Sequence, residues 1–433
     1  MVIFNGGNSN LYIQVNFILI SILFLFIAKE KNYLAHIKKI FLANKLAIAL
    51  YVLFIFFLIF QILPLPVEWI SFFSPEKYNY LQNLEYDLNF TSISLSSFNS
   101  YFAILNYFSV FLFLIIFKSL FYKQRYIFHF YFFLAFLGAL TASIAIYFYL
   151  IGNPDFFILK NSHLKSNATG FFKNRTVFSC FLLLCFLSGI EFLKSINHHK
   201  EHDRKDFFDK IYVRIFILLI TIGIITSFSR LGNFLFISSI ILYISREIYL
   251  NNKSNRLFLI TLILILFLDI IALGFYFGSE KLIFRFAFLQ DELVKYLPSS
   301  IDTNITRGGI TKFALLEFKK FIFFGYGSGG FEYLFKINFE NTSTMYAVHA
   351  HSDLIQFLGE LGIIGFSLIA LSSLFLCANK NFFSFKNFLL FYSLIFILIF
   401  DFSFHIPVIQ ILFILLISAK NNQIDNFYVN YDK

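Results

Sequence analysis

The run Ala347, Val348, His349, Ala350, His351, Ser352, Asp353, Leu354 sets two imidazoles and a carboxylate at the mouth of a long apolar stretch. Histidine titrates near neutral pH, so an imidazole held there can act as a general base beside lipid headgroups. The same run reads equally well as a polar helix cap, with Ser352 or Asp353 satisfying the first amides. Zinc fits less well. His349 and His351 are two apart and no cysteine or carboxylate set completes a tetrahedron, so no metal is expected.

Four arginines extend the chemistry. Arg230 stands in the short segment Ser227, Phe228, Ser229, Arg230, Leu231, Gly232, and Arg175 follows Asn174 at the start of another apolar run. A guanidinium grips phosphate bidentately and stays charged at any relevant pH. A single interfacial arginine more commonly snorkels or anchors phospholipid. A functional role is favoured because both arginines share side and depth with His351. Arg285 and Arg307 lie in the long polar connection before His349 and are further candidates for binding a diphosphate.

Glu191, Asp269, Glu360, Asp401 and His405 fall inside or beside apolar runs, where an ionisable group is costly enough to suggest a proton relay. A transporter of ions or small solutes is therefore the alternative to an enzyme. No internal repeat and no pair of interrupted helices supports it. Asp401 and His405 are four apart and share a face on a continuous helix. The run Gly325, Tyr326, Gly327, Ser328, Gly329, Gly330, Phe331 lacks the preceding strand and following Lys-Ser/Thr of a nucleotide loop. It reads as a turn bending the chain over the site.

The elements that must hold these residues are membrane helices. The 433 residues are 58% hydrophobic and 14% charged with mean hydropathy +0.74, against about 25% charged in soluble domains. Windows of about twenty residues predict helices at Leu11–Ala28, Leu46–Leu63, Tyr101–Phe121, Ile127–Ile151, Thr176–Leu193, Ile211–Ser229, Leu231–Tyr249, Leu257–Phe277, Asp353–Cys377, Phe388–Asp401 and Phe404–Ser418. The expected fold is an all-α polytopic transmembrane bundle of about 11 to 12 helices. It forms a single domain over residues 1–420, with a large loop at 278–350 and a tail at 421–433. The first run has neither a basic stretch before it nor a small-residue cleavage site after it, so it is expected to persist as a helix.

The net charge of +10 is spread over alternate connections instead of one basic face, which speaks for membrane topology and against nucleic acid. The Lys- and Arg-rich connections should face the cytoplasm. Pro64–Ser100, Gly152–Arg175 and Gly278–Ala350 should then face the other way, with the N-terminus. Cys180, Cys185 and Cys377 all lie in apolar runs and imply no disulfide framework. Thr311–Phe324 alternates Phe313, Leu316, Phe321 and Phe324 with Lys312, Lys319 and Lys320, as a helix lying in the interface plane does.

In order and content these residues resemble the O-antigen ligase and O-antigen polymerase superfamily. Pro64, Leu65, Pro66 to Ser74, Pro75 is similar to its first outer loop, and Thr169, Gly170, Phe171, Phe172, Lys173, Asn174, Arg175 to its Gly-Phe-x-Asn-Arg/Asn element. Ser229, Arg230, Leu231, Gly232 matches its Ser-Arg-x-Gly turn. Arg307, the Gly-rich run Phe324–Phe331 and the His-led stretch His351–Gly365 complete the pattern. The resemblance implies a bacterial inner-membrane enzyme with its site facing the periplasm, moving a glycan from an undecaprenyl-diphosphate carrier to a lipid A core sugar or a carrier-linked repeat. It implies an inverting transfer with no metal or other cofactor. His351 and Arg230 would be catalytic, and Arg175, Arg230 and Arg307 would hold the diphosphate; on their residue types and positions His349, Asp353 and Arg285 are further candidates. Ser352 departs from the Asn that many members carry. Ligase and polymerase share these motifs.

Overall fold

The computed structural model describes residues 1–83, 88–121, 124–154, 167–197, 204–250, 307–339, 347–377 and 384–419, with a few isolated positions between 260 and 267. The expected helix Leu257–Phe277, most of the loop at 278–350, Arg285, Asp269 and the tail at 421–433 lie outside the described residues. The described chain is nearly all helix: α1 Asn10–Lys29, α2 Lys31–Ala43, α3 Lys45–Ile62, α4 Val67–Phe73, α5 Pro75–Asn83, α6 Ser97–Leu120, α7 Gln124–Leu150 and α8 Arg175–Asn197. After these come α9 Arg204–Thr226, α10 Arg230–Leu250, α11 Arg307–Phe318, α12 Phe331–Asn338, α13 Asp353–Cys377, α14 Phe385–Phe400 and α15 Pro407–Ser418. The only strands among the described residues are the short antiparallel pair β1 Leu65–Pro66 and β2 Phe90–Thr91.

Seven of the described helices, α1, α3, α6, α7, α8, α10 and α13, are long and apolar enough to cross a membrane. The protein is a polytopic helical membrane bundle. Lipid provides no hydrophobic drive between helices, so their association depends on close packing. α7 supplies it with a stripe of buried small residues, Ala135, Gly138, Ala139, Ala142 and Ala145. A Cβ on Gly138 would stand 2.4 Å from Cys185 of α8, and one on Gly223 of α9 would stand 2.8 Å from Ala142. α8 is buried along its whole span at the centre of this group, whereas α1 is peripheral.

The two ends of the bundle differ. At one end Lys118 donates to Leu376 O at 2.6 Å, Lys386 to Leu416 O at 2.6 Å and Ala419 O at 2.8 Å, and Lys194 pairs with Glu191 at 3.8 Å. The opposite end carries the His351 loop. The N-terminal 3-10 turn Val2–Gly7 lies at this second end, with Gly6 against Ile406, Val408 and Phe172 and Asn5 Oδ1 accepting from Lys173 N at 2.7 Å.

Three expectations need correction. The amphipathic stretch is helical over Arg307–Phe318 only, so Phe321 and Phe324 fall in the turns that follow and the alternation does not describe one helix face. The last two helices end and begin earlier and later than hydropathy suggests. α14 stops at Phe400, a 3-10 turn covers Ser403–His405, and Pro407 opens α15, because proline suits a first turn and cannot continue a helix. Asp401 and His405 are therefore on a bend and not on a shared helical face.

α13 is also interrupted, at Gly362 with φ 63 and ψ 178. Backbone groups freed at such depth need partners from protein, and the Gly-rich turn provides them. Tyr326 N donates to Gly359 O at 2.9 Å, Gly327 N to Glu360 O at 3.1 Å, and Ile363 N to Ile322 O at 2.8 Å. Buried Gln61 of α3 adds donations to Phe324 O at 2.7 Å and Glu360 O at 3.0 Å. A Cβ on Gly362 would stand 2.2 Å from Phe323 O, so both the backbone angle and the close approach require glycine. The expected turn at Gly325–Phe331 is present, and it bends into the break.

Candidate active site

Two of the arginines open neighbouring helices. Asn174 Oδ1 accepts from Thr176 N at 2.7 Å and Val177 N at 3.3 Å, which caps α8 and leaves Arg175 as its first residue. Ser229 Oγ accepts from Gly232 N at 3.2 Å, capping α10 at Arg230. The turn between α9 and α10 is as short as expected, Ser227 to Ser229, with Phe228 in the left-handed region at φ 49. Gly232 explains the glycine two residues past the arginine. A Cβ there would lie 2.0 Å from Ser179 Oγ, one turn into α8, so only glycine lets the two helix starts sit side by side. Both starts carry the partial positive charge of an N-terminus in addition to the guanidinium.

Arg307 likewise opens a helix, α11, which packs along α13. Thr311, one turn on, donates to Ala350 O at 2.8 Å and so ties α11 to the histidine loop. His351 takes a left-handed backbone, φ 57, and its ring meets Phe402 edge-on at 5.3 Å and 68°. Burial, reinforced by the Arg307 guanidinium, lowers its pKa to about 4. It is a neutral imidazole at physiological pH, and its buried Nδ1 has no hydrogen-bond partner among the described residues.

His349 has a different setting. Its ring is stacked flat on Phe402 at 4.5 Å and 9°, and Nδ1 is 3.5 Å from Gln356 Nε2. Burial, with His405 and His351 adding to it, lowers its pKa to about 3.

Asp353 and Ser352 do more than cap. Ser352 Oγ donates to Leu398 O at 3.2 Å, and Asp353 accepts Phe404 N at 2.7 Å and pairs with His405 Nδ1. The Asp353 amide in turn donates to Asp401 O at 2.9 Å. The entry to α13 is thus joined to the bend between α14 and α15. Asp401 is buried and accepts from Ser403; burial raises its pKa to about 6, with Ser403 and Arg307 acting against the rise. α8 passes close by, Cys180 lying beside Asp401 and Ser403. α10 joins from the other side, where Phe234, one turn past Arg230, meets Phe396 of α14 at 5.3 Å.

The described structure therefore brings the first turns of α8, α10 and α11 to the end of the bundle that holds His351, Asp353 and Asp401. Arg175, Arg230, Arg307 and His351 are on this end together, while Glu191 sits towards the other end of α8, accepting from Tyr243 OH at 2.8 Å. Phe402 carries no signal in the sequence, whereas the sequence marks His405 only as a costly ionisable group near Asp401 and Gln356 only as part of the His-led stretch. The signal available for His405 was Pro407 two residues later, which marks a bend where a helix was expected.

No curated protein and no solved structure matches the chain. Residues 215–370, which include Arg230, Arg307 and His351, match the family model described as O-antigen ligase.

Proposed function

We propose that the protein is a membrane glycosyltransferase that moves a glycan from an undecaprenyl-diphosphate carrier to a sugar hydroxyl at the periplasmic face. The observation that carries the reading is that the match to O-antigen ligase spans Arg230, Arg307 and His351, with Arg307 close enough to the neutral His351 imidazole to act on its pKa. The acceptor hydroxyl attacks the anomeric carbon of the donor sugar from the face opposite the diphosphate. The new C–O bond forms as the bond to the diphosphate oxygen breaks, which inverts that centre. The hydroxyl proton passes to His351. Charge gathers on the leaving diphosphate, and Arg230, Arg175 and Arg307 offset it.

Arg307 links binding to base strength. Its charge contributes to the depressed pKa of His351, and a diphosphate paired with Arg307 would cancel that contribution. The imidazole thus becomes a better proton acceptor once the donor is bound. The sign of the pH dependence follows: His351 works unprotonated, so activity falls as pH drops through its pKa. Arg307→Gln lets that pKa rise toward its ordinary 6.5, and the acid limb of kcat/KM in the residual activity is expected at higher pH than in the wild type. A profile whose acid limb stays in place separates Arg307 from His351.

The break in α13 is the feature that would favour a transporter. Its freed groups are bonded to 322–327 and to Gln61, which supports a structural role and leaves the glycosyltransferase reading in front. The polysaccharide profile of a deletion strain tests the function. Free polymer with an unsubstituted lipid A core is the result expected of a ligase, and a core bearing one repeat is that of a polymerase. An unchanged profile overturns the reading.

A further inference from the structure

The chemistry above leaves a buried ionic group unused. His405, in the bend between α14 and α15, sets Nδ1 against the Asp353 carboxylate and Nε2 3.7 Å from Glu360 Oε2. Its ring lies flat on Phe357 at 4.0 Å and 8°. The side chains of Asp353 and Glu360 are 0% and 2% exposed, and Gln356 Nε2 bonds Glu360 at 2.8 Å. Two carboxylates flanking one ring in an apolar surround repel each other, and a cation placed between them offsets that repulsion. Burial alone opposes charge on His405, but the two carboxylates outweigh it and raise its pKa to about 10. The other titratable group facing it is His349, whose ring centroid is 5.5 Å away.

The consequence is mechanical. Asp353 is the first residue of α13, and His351 stands two residues before it in a left-handed backbone outside any helix, next to Ala350, which α11 and α13 hold through Thr311 and Gln356. On its other side that backbone is fixed from the bend. Asp353 bonds His405 and Phe404 N, its own amide bonds Asp401 O, and the rings of His349 and His351 both rest on Phe402. With the carboxylates unpaired, the bend and the entry to α13 would lose their strongest tie.

We propose that His405 is a positioning residue: as an imidazolium it bridges Asp353 and Glu360 and so locks the His351 loop against Phe402, without touching substrate. The proposal rests on the reading of His351 as the base.

The test compares full-length His405→Gln, Asp353→Asn and the double variant in nanodiscs, using a lipid-diphosphate-linked glycan as donor. His405→Gln is expected to lower kcat by about a hundredfold, the scale of a misplaced catalytic group, while KM for the donor stays within about twofold because the arginines are untouched. Gln and Asn can pair as neutral amides, so the double variant is expected to be no worse than His405→Gln alone. Additive losses, a wild-type kcat in His405→Gln, or a raised KM with kcat intact would overturn the lock. Should His405→Gln fail to accumulate in the membrane, the double variant against Asp353→Asn carries the same comparison.

Amide hydrogen exchange reads the lock without any reaction. Segment 347–353 is expected to exchange faster in His405→Gln while the core of α8 is unchanged, and equal protection in both proteins overturns the proposal. A wild-type chain that transfers no glycan, yet loosens at 347–353 on His405→Gln, overturns the proposed reaction and supports the lock.

Discussion

In His351→Ala, glycan transfer is expected to fall by about 10²- to 10⁴-fold, the range seen when a general base is removed. The loss should appear in kcat and leave KM for the lipid-linked donor near its wild-type value, because the diphosphate is held by arginines on other helices. The variant should fold. His351 is a partly exposed side chain at the end of the bundle, alanine leaves Phe402 its stack with His349, and the bond from Thr311 to Ala350 O is unaffected. A second measurement separates chemistry from packing: added imidazole should restore part of the rate in the alanine variant. Transfer within tenfold of wild type would remove His351 from the mechanism.

Arg230→Lys is the second large effect, about 10²- to 10³-fold in kcat by analogy with losing one donor to a developing oxyanion. Charge is kept in this variant, so the loss measures geometry. Guanidinium presents a planar fork to two phosphate oxygens, whereas an ammonium is a point charge on a flexible stem. The local fold gives little reason for disruption, since Ser229 still caps α10 and Gly232 still meets Ser179. The check is single-turnover transfer in membranes containing equal amounts of both proteins. A lysine variant as fast as wild type would reduce Arg230 to an interfacial anchor.

The two predictions draw on different structural supports. His351 depends on a loop tied to the α14–α15 bend, and Arg230 depends on a capped helix start pressed against α8. Substitutions that loosen the bend should therefore affect the histidine and spare the arginine, which is the distinction the His405 experiments exploit.

The membrane helices α1, α3, α6, α7, α8, α10 and the extent of α13 were readable directly, because an apolar run of spanning length carries its own signal whatever it packs against. The short turn before Arg230 was readable too, from two apolar runs that nearly abut, and so was Arg175 at the mouth of α8, which starts one residue before the expected Thr176. Hydropathy windows average over interruptions, so the break at Gly362 and the bend at 401–406 were not. The alternation in 311–324 misled for a related reason: a periodic pattern of Phe and Lys continues past Phe318, but the backbone there turns to pair with 359–364.

The candidate site divides in the same way. Arg175, Arg230 and His351 were legible as residue types at helix mouths, since guanidinium and imidazole chemistry depends on identity and side of the membrane, whereas only the structure put Arg307 at the start of a helix. By itself the sequence determined a polytopic helical bundle and the polar residues that interrupt it. Only the tertiary structure decided that His405 pairs with Asp353 and Glu360 and not with Asp401, and that Gly325–Phe331 fills the break in α13. Those pairings join residues tens of positions apart. They are set by which buried groups lack a partner once the helices have packed, and no local pattern records that.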